Sequence, residues 1–306
     1  MARESLRQIA FYGKGGIGKS TVVANVTAAL NAAGHRVLQV GCDPKHDSSR
    51  PFWDGSRPRT VIELLREYDG RNPPPATYVK KAASGVEYIE VGGPEPGVGC
   101  AGRGILKMFE MVEEARVLDA GYDAVLYDVL GDVVCGGFAA PLRAGYAREV
   151  FVVLSGEFMA IYAANNICKG IANYAERRQV RLGGLVLNRR NVPAEVEVVT
   201  AFADAIGSRV IHAVPRDSVV QSAERRRRTV VDSFPDSPQA TVYKELASRI
   251  LEAGHLAIPK PLSDEALEDL YYRVCDAAEA AARPEPAVPA KPARGRARQP
   301  AGGGPG

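Results

Sequence analysis

Residues Gly13 to Thr21 read GKGGIGKST and fit the pattern GxxxxGK[ST]. The run follows the apolar stretch RQIAFY and precedes the helix-period stretch VVANVTAAL, so motif and context agree on strand, glycine-rich turn and helix. Gly13, Gly15, Gly16 and Gly18, with Ile17 between them, let backbone N–H groups curl round a β-phosphate. Lys19 brings a point charge to the β- and γ-oxygens, and the hydroxyl of Ser20, next to Thr21, can ligate magnesium. A second lysine, Lys14, stands inside the loop, where ordinary phosphate loops rarely place a cation.

Such a loop sits at the carboxyl end of a strand, and the rest of the chain supplies the sheet. The runs HRVLQVG, GVEYIEV, YDAVLYDV, EVFVVLS, LGGLVLN and RVIHAVP each read as a buried parallel strand. Helix-period segments lie between several of them: Lys19 to Ala33, Thr60 to Tyr68, Gly104 to Ala115, Met159 to Arg178 and Ala194 to Ile206. The alternation predicts an α/β fold, a doubly wound and mostly parallel sheet with helices on both faces and its ligand at the carboxyl ends of the strands. With 306 residues and 46% hydrophobic side chains the chain can bury a full core. We read one domain over residues 1–282 and a disordered tail over 283–306, where Pro, Ala, Gly and Arg displace bulky apolar residues.

The net charge of +3 sets no field that would favour nucleic acid as a partner. No apolar run is long enough for a signal peptide or a membrane span, so a cytoplasmic protein without membrane contact is expected. Five cysteines at 42, 100, 135, 168 and 275 are odd in number and form no CxxC pair, which speaks against disulfides and against zinc-ribbon or ferredoxin spacings. Cys42, Cys168 and Cys275 read as ordinary buried or half-buried thiols.

Carboxylates gather at the same sheet edge. The strand HRVLQV runs into GCDPKHDSS with Asp43 and Asp47, and YDAVLY ends in Asp128 of DVLGD, an apolar run closed by Asp as in a Walker B element. Asp128 is expected to hold magnesium through water; Asp43, Asp47 and Asp132 are candidates for orienting the attacking water or for coupling its chemistry to loop movement, with a turn or helix cap as the plainer role. Asn188 closes another strand at this edge, and its amide could read an adenine. Cys100 lies in the glycine-rich segment GGPEPGVGCAGRG, and Cys135 follows Asp128 by seven residues, tying a possible metal ligand to a phosphate sensor through one short segment. Two cysteines cannot complete a cluster; two chains would supply four.

At these residues the sequence closely resembles the iron protein family of nitrogenase and its relatives, from about Arg7 to about Ala280, through the long motifs GPEPGVGCAGRG and YDVLGDVVCGGFA. The resemblance implies a homodimer with one 4Fe–4S cluster per dimer held by Cys100 and Cys135 of each subunit. It also implies ATP and Mg2+ at each phosphate loop, and one-electron transfer from a low-potential ferredoxin or flavodoxin donor to a larger heteromeric catalytic component. In the branch of P-loop ATPases that this loop resembles, the lysine at Lys14 reaches the neighbouring subunit's nucleotide. Ser20, Asp43 and Asp128 match the magnesium positions, Asp47 and Asp132 the switch carboxylates, and Lys14, Asp43, Asp47 and Asp132 together the catalytic set. Asn188, Pro215, Arg216, Asp217, Gln221, Gln239 and Tyr243 fall where the family encloses adenine, and Arg103 matches an arginine that docks on the partner and in some relatives is ADP-ribosylated.

The chain departs from the family at CDPKHDSS, where nitrogenase iron proteins typically carry alanine in place of His46. Histidine there is similar to the dark-operative chlorophyll-type reductase branch, whereas the cluster segment keeps the nitrogenase form. On balance this favours a nitrogenase-like reductase outside true nitrogenase, methylthio-alkane reductase among them, with the iron protein of true nitrogenase and the chlorophyll-type component as alternatives. A partition-type P-loop ATPase of the same branch would leave Cys100 and Cys135 unexplained.

Overall fold

The apolar runs become strands whose side chains alternate between two cores, as a sheet covered on both faces requires. The computed structural model describes residues 6–43, 45–93, 101–131, 140–143, 145–252, 254 and 256–282, with the backbone alone at 101–103 and 143. The strands are β1 (Arg7–Tyr12), β2 (Val37–Gly41), β3 (Lys80–Lys81), β4 (Glu87–Glu90), β5 (Ala124–Asp128), β6 (Glu149–Leu154), β7 (Arg181–Asn188) and β8 (Val210–Val214). The longer helices are α1 (Lys19–Ala32), α2 (Val61–Glu67), α3 (Ala101–Glu114), α4 (Phe158–Arg178), α5 (Glu195–Ala205), α6 (Ser218–Arg225), α7 (Pro238–Glu252) and α8 (Asp264–Ala282).

All eight strands form one sheet in the order β3-β4-β2-β5-β1-β6-β7-β8. Every pairing is parallel except that of β3 with β4, which confirms the doubly wound α/β expectation and adds one antiparallel edge. Ile9 and Phe11 of β1, Leu126 of β5 and Phe151 and Val153 of β6 point to the face covered by α1 and α7. Ala10, Tyr12, Val125, Tyr127, Val150 and Val152 point the other way, to α3, α4, α5 and α8.

This topology places β1 between β5 and β6, with β2 beyond β5. The first crossover, through α1, therefore skips one strand position, and the carboxyl ends of β1, β2 and β5 open side by side. Loops carrying the phosphate motif, Asp43 and Asp128 meet there, at the kind of crevice where open α/β sheets bind ligands. Among the described residues no helix is long and apolar enough to cross a membrane. Residues 283–306, read above as a disordered tail, lie outside the described residues, as do Cys100, Asp132 and Cys135 and the side chain of Arg103.

Candidate nucleotide site

Helix α1 begins at Lys19 with Gly18 as its N-cap, in the left-handed region at φ 90°, and no side chain caps its first turn. The first-turn N–H groups of a 14-residue helix are thus turned toward the loop without an internal acceptor, the arrangement that favours phosphate. Gly18 is required twice: by its φ, and because a Cβ there would lie 2.5 Å from Asn188 Nδ2. Asn188, at the end of β7, donates that Nδ2 to the Ile17 carbonyl at 2.6 Å. Its first task is therefore to hold the phosphate loop; the amide's second N–H and its oxygen are what it has to offer a base. Arg190, two residues on, donates to the Gly16 carbonyl from the same side.

Lys19 and Asp128 are 5% and 0% exposed and form an ion pair across the floor of the site. The second Asp128 oxygen accepts from Ser48 Oγ at 2.6 Å. Behind Ser48 runs a fully buried polar chain. Gln39 Nε2 donates to the Ser48 carbonyl at 2.9 Å, and Thr27 Oγ1, from α1, donates to Gln39 Oε1 at 2.8 Å. Burial without partners would make these groups costly; satisfied as they are, they fix the rotamer of Asp128.

The cavity above this floor measures about 380 Å³. Lys14, Gly15, Gly16, Gly18, Lys19, Ser20, Thr21, Asp43, Asp47, Asn188, Pro215, Arg216, Asp217, Gln221 and Tyr243 all line it, so these of the residues named from the sequence share one cavity, while Gly13, Ile17 and Asp128 are not on its lining. Gln239 is 1% exposed and stands behind the wall, donating to the Pro215 carbonyl at 3.2 Å. Asp217 caps α6 by accepting from the Val219 N–H at 2.8 Å. Burial pushes the Tyr243 phenol up to about 12, so at neutral pH it presents a neutral ring and hydroxyl.

Desolvation, then the charges of Asp43 and Asp128, hold the Asp47 carboxyl above its ordinary value. Asp43, Asp47 and Asp128 thus gather at one edge, with Lys19 and Lys45 as the cations that partly offset them, and this carboxylate edge suits a hard cation. Among the described residues no three Asp, Glu, His or Cys side chains form a ligand group of their own. Asp43 and Asp128 with Ser20 fit magnesium, an ion bound through one or two carboxylates plus phosphate oxygens rather than in an all-protein cage.

Several site residues escaped sequence reasoning. Gln39 and Thr27 carry no motif, and their only signal is polarity inside otherwise apolar runs; Ser48 lies in GCDPKHDSS, where only the carboxylates and His46 drew notice. Glu90, at the end of β4 and 2% exposed, accepts the Ser49 N–H at 2.5 Å, while its Oε2 is buried with no partner among the described residues. Burial is the main cause that raises its pKa from 4.5 to about 7. Between those values the folded chain keeps a proton that the unfolded chain has lost, so stability falls as pH rises through that window. Glu90→Gln is expected to remove this slope and to be more stable than the parent at pH 8; urea midpoints from pH 5 to pH 8 check it.

His46, in the left-handed region at φ 58°, was noted in the sequence only as a departure, yet its Nε2 accepts the Gly93 N–H at 3.1 Å. Burial and the Arg57 guanidinium hold its pKa below the ordinary value, keeping the ring neutral. Cys42 and Cys168 are buried free thiols and Cys275 is half-buried, as expected.

Helix α3 starts at Ala101, directly after Cys100, so that cysteine is followed by the N-terminus of a 14-residue helix. That end carries partial positive charge, which fits thiolates and an anionic iron–sulfur group.

Sheet order and phosphate loop define a P-loop NTPase fold of the MinD/ParA-like kind. Solved structures with this fold include the cell division ATPase MinD of Pyrococcus furiosus, at TM-score 0.62 and 19% identity over 80% of this chain and 98% of that one. Another is the Mycobacterium smegmatis cobyrinic acid a,c-diamide synthase with bound ATP analog and magnesium, at TM-score 0.60 and 22% identity over 81% and 94%. Such identities speak for the fold alone.

The chain belongs to the NifH/frxC family of 4Fe-4S iron sulfur cluster binding proteins, which it matches over residues 7–276. It is 50% identical over 267 residues to the nitrogenase iron protein of Methanospirillum hungatei, covering 87% of this chain and 95% of that protein. It is thus an ATP-dependent iron protein, the reductase component of a nitrogenase-like system, and membership implies a 4Fe–4S cluster, ATP and a nitrogenase-like partner.

Proposed function

We propose that the chain works as a homodimer, with one 4Fe–4S cluster held by Cys100 and Cys135 of each subunit and two MgATP per dimer. It passes single electrons from a low-potential ferredoxin or flavodoxin to a larger heteromeric nitrogenase-like component. The observation that carries this reading is a backbone contact between the two halves of the chemistry. The Gly131 N–H donates to the Gly13 carbonyl at 3.1 Å, so the first residue of the phosphate motif touches the segment that runs on to Cys135, four residues later. A change of phosphate state at one is a displacement at the other.

In this reading Lys19 and the α1 N-terminus bind phosphate, Ser20, Asp43 and Asp128 hold magnesium, and Asp47 and Asp132 sense the γ-phosphate. Lys14 completes the partner subunit's nucleotide site. Asn188, Pro215, Arg216, Asp217, Gln221 and Tyr243 enclose the base, and Gln239 supports that wall. Arg103 lies on the docking face, beside the cluster. The cluster supplies low-potential one-electron chemistry. For ATP to drive a switch it must bind the closed dimer better than the open one, and contacts to the γ-phosphate provide that difference.

His46 in the switch segment favours a nitrogenase-like reductase, such as methylthio-alkane reductase, as the system served. The 50% identity to a nitrogenase iron protein favours the second reading, a true nitrogenase. Pairing the reduced protein with each catalytic component and measuring product per ATP decides between them.

The first test is the iron and sulfide content of anaerobically purified protein, with EPR of the dithionite-reduced form with and without MgATP. About four irons per dimer and a spectrum that shifts with MgATP are expected. Cys100→Ser and Cys135→Ser are each expected to lose cluster and electron transfer; a variant keeping both would overturn the ligand assignment.

A further inference from the structure

The segment that follows β2 carries Asp43 and Asp47 toward the nucleotide cavity, and its other side is fastened to the end of β4. Two bonds make the connection: the Ser49 N–H donates to Glu90 Oε1 at 2.5 Å, and the Gly93 N–H donates to His46 Nε2 at 3.1 Å. The backbone of His46 in turn donates its N–H to the Asp43 carbonyl at 3.2 Å. One residue therefore touches the magnesium-side carboxylate's own peptide and the stem from which residues 94–100 run to Cys100.

The rest of that stem is held by an element with no part in nucleotide contact. The Ile62 N–H of α2 donates to the Val91 carbonyl at 3.2 Å, and a Cβ on Gly92 would stand 2.7 Å from Thr60 Oγ1. Thr60 and Glu63 close a capping box, and Glu63 takes both Arg57 Nη2 at 2.7 Å and Nη1 at 3.2 Å. That places Arg57 Nη1 3.4 Å from His46 Nδ1. Because Nε2 accepts from Gly93, the neutral ring carries its proton on Nδ1, and Arg57 is anchored by Glu63 rather than by the ring. The α2 side is thus a fixed wall, and the imidazole is the contact through which the switch segment reaches Gly93.

We propose that His46 is a positioning residue that transmits the nucleotide state of the Asp43–Asp47 segment to the stem of the Cys100 segment through the Gly93 N–H. The inference rests on the nucleotide and cluster reading above and adds a route for Cys100 separate from the Gly13–Gly131 contact that serves Cys135. A single neutral hydrogen bond sustains a coupling of order tenfold or less between two loops, so the expected effect is a loss of communication rather than a loss of either site.

The test is hydrogen exchange of the full-length, cluster-loaded protein, followed at residues 88–100 and at 126–135, with and without MgATP. It compares the parent with His46→Phe, which keeps the ring volume without an acceptor, and His46→Asn, which tolerates the left-handed backbone but is too short to reach Gly93. In the parent, MgATP is expected to change exchange at 88–100 by about threefold or more, within the range one hydrogen bond supports. In both variants that response should disappear while the response at 126–135 and the MgATP affinity stay within twofold of the parent. A parent-like response at 88–100 in the variants overturns the proposal, as does loss of MgATP binding or of both responses, which would make His46 a structural part of the nucleotide site. A parent that shows no response at 88–100 overturns it too; the cluster reading itself fails only if the parent holds no iron.

Discussion

Lys19→Gln is expected to lower MgATP hydrolysis by about 10²–10³-fold or more, the scale seen when one preorganised charge or donor is removed from a developing oxyanion. The same change should weaken the fold. Lys19 is the salt-bridge partner of a carboxylate that is 0% exposed, and breaking a buried pair by removing one member costs about 3–5 kcal/mol because the other charge stays behind. Ser48 still donates to Asp128 and offsets part of this. The two effects separate in the double variant Lys19→Gln/Asp128→Asn, which removes both charges from the interior. Stability should largely return while hydrolysis stays lost. Urea denaturation and phosphate release on the parent and both variants check this; a Lys19→Gln protein with parental turnover would remove Lys19 from the phosphate site.

Gly131→Ala is expected to sever ATP use from electron transfer. A Cβ at this position would stand 2.7 Å from the Gly13 nitrogen and 2.8 Å from its oxygen, both backbone atoms that no rotamer change can move aside. Gly13 has no room to yield, since its own Cβ position is 2.4 Å from the Val153 carbonyl oxygen of β6. The ends of β1 and β5 must therefore separate, at a cost of about 1–3 kcal/mol for overpacking, and the 3.1 Å bond between Gly131 and Gly13 is lost. Gly34→Ala is the control: at φ 92° with nothing within 4 Å, it adds backbone strain of about 1–2 kcal/mol without a clash. Both variants should be less stable, and only Gly131→Ala should hydrolyse ATP with little electron transfer and no MgATP-dependent change in the EPR spectrum. Unchanged electrons per ATP in Gly131→Ala would show that the contact carries no signal.

What was legible in the sequence was local. The phosphate loop between β1 and α1 reads directly because glycine spacing, Lys19 and the flanking periodicities all lie within about two dozen residues. The seven apolar runs all became strands. The eighth strand did not announce itself: β3 is the dipeptide Lys80–Lys81, with no apolar pattern, and exists because β4 offers it an antiparallel edge. Helix α3 starts at Ala101, earlier than the Gly104 suggested by periodicity. Gly104 sits in its first turn because a Cβ there would come within 2.3 Å of Ile62 Cδ1, a tertiary demand invisible to periodicity.

By itself, then, the sequence determined the alternating α/β plan, the phosphate loop and the membership of the acid-lined edge. Those follow from short-range spacing and from burial, which each segment expresses alone. Only the tertiary structure decided that Asn188 braces Ile17, that Thr27, Gln39 and Ser48 orient Asp128 and that His46 meets Gly93. These bonds join residues from 9 to 171 positions apart, and a polar group in an apolar run does not say which partner will satisfy it. The order of the strands brings the partners to one edge, and the cost of leaving a buried polar group unpaired then fixes each bond.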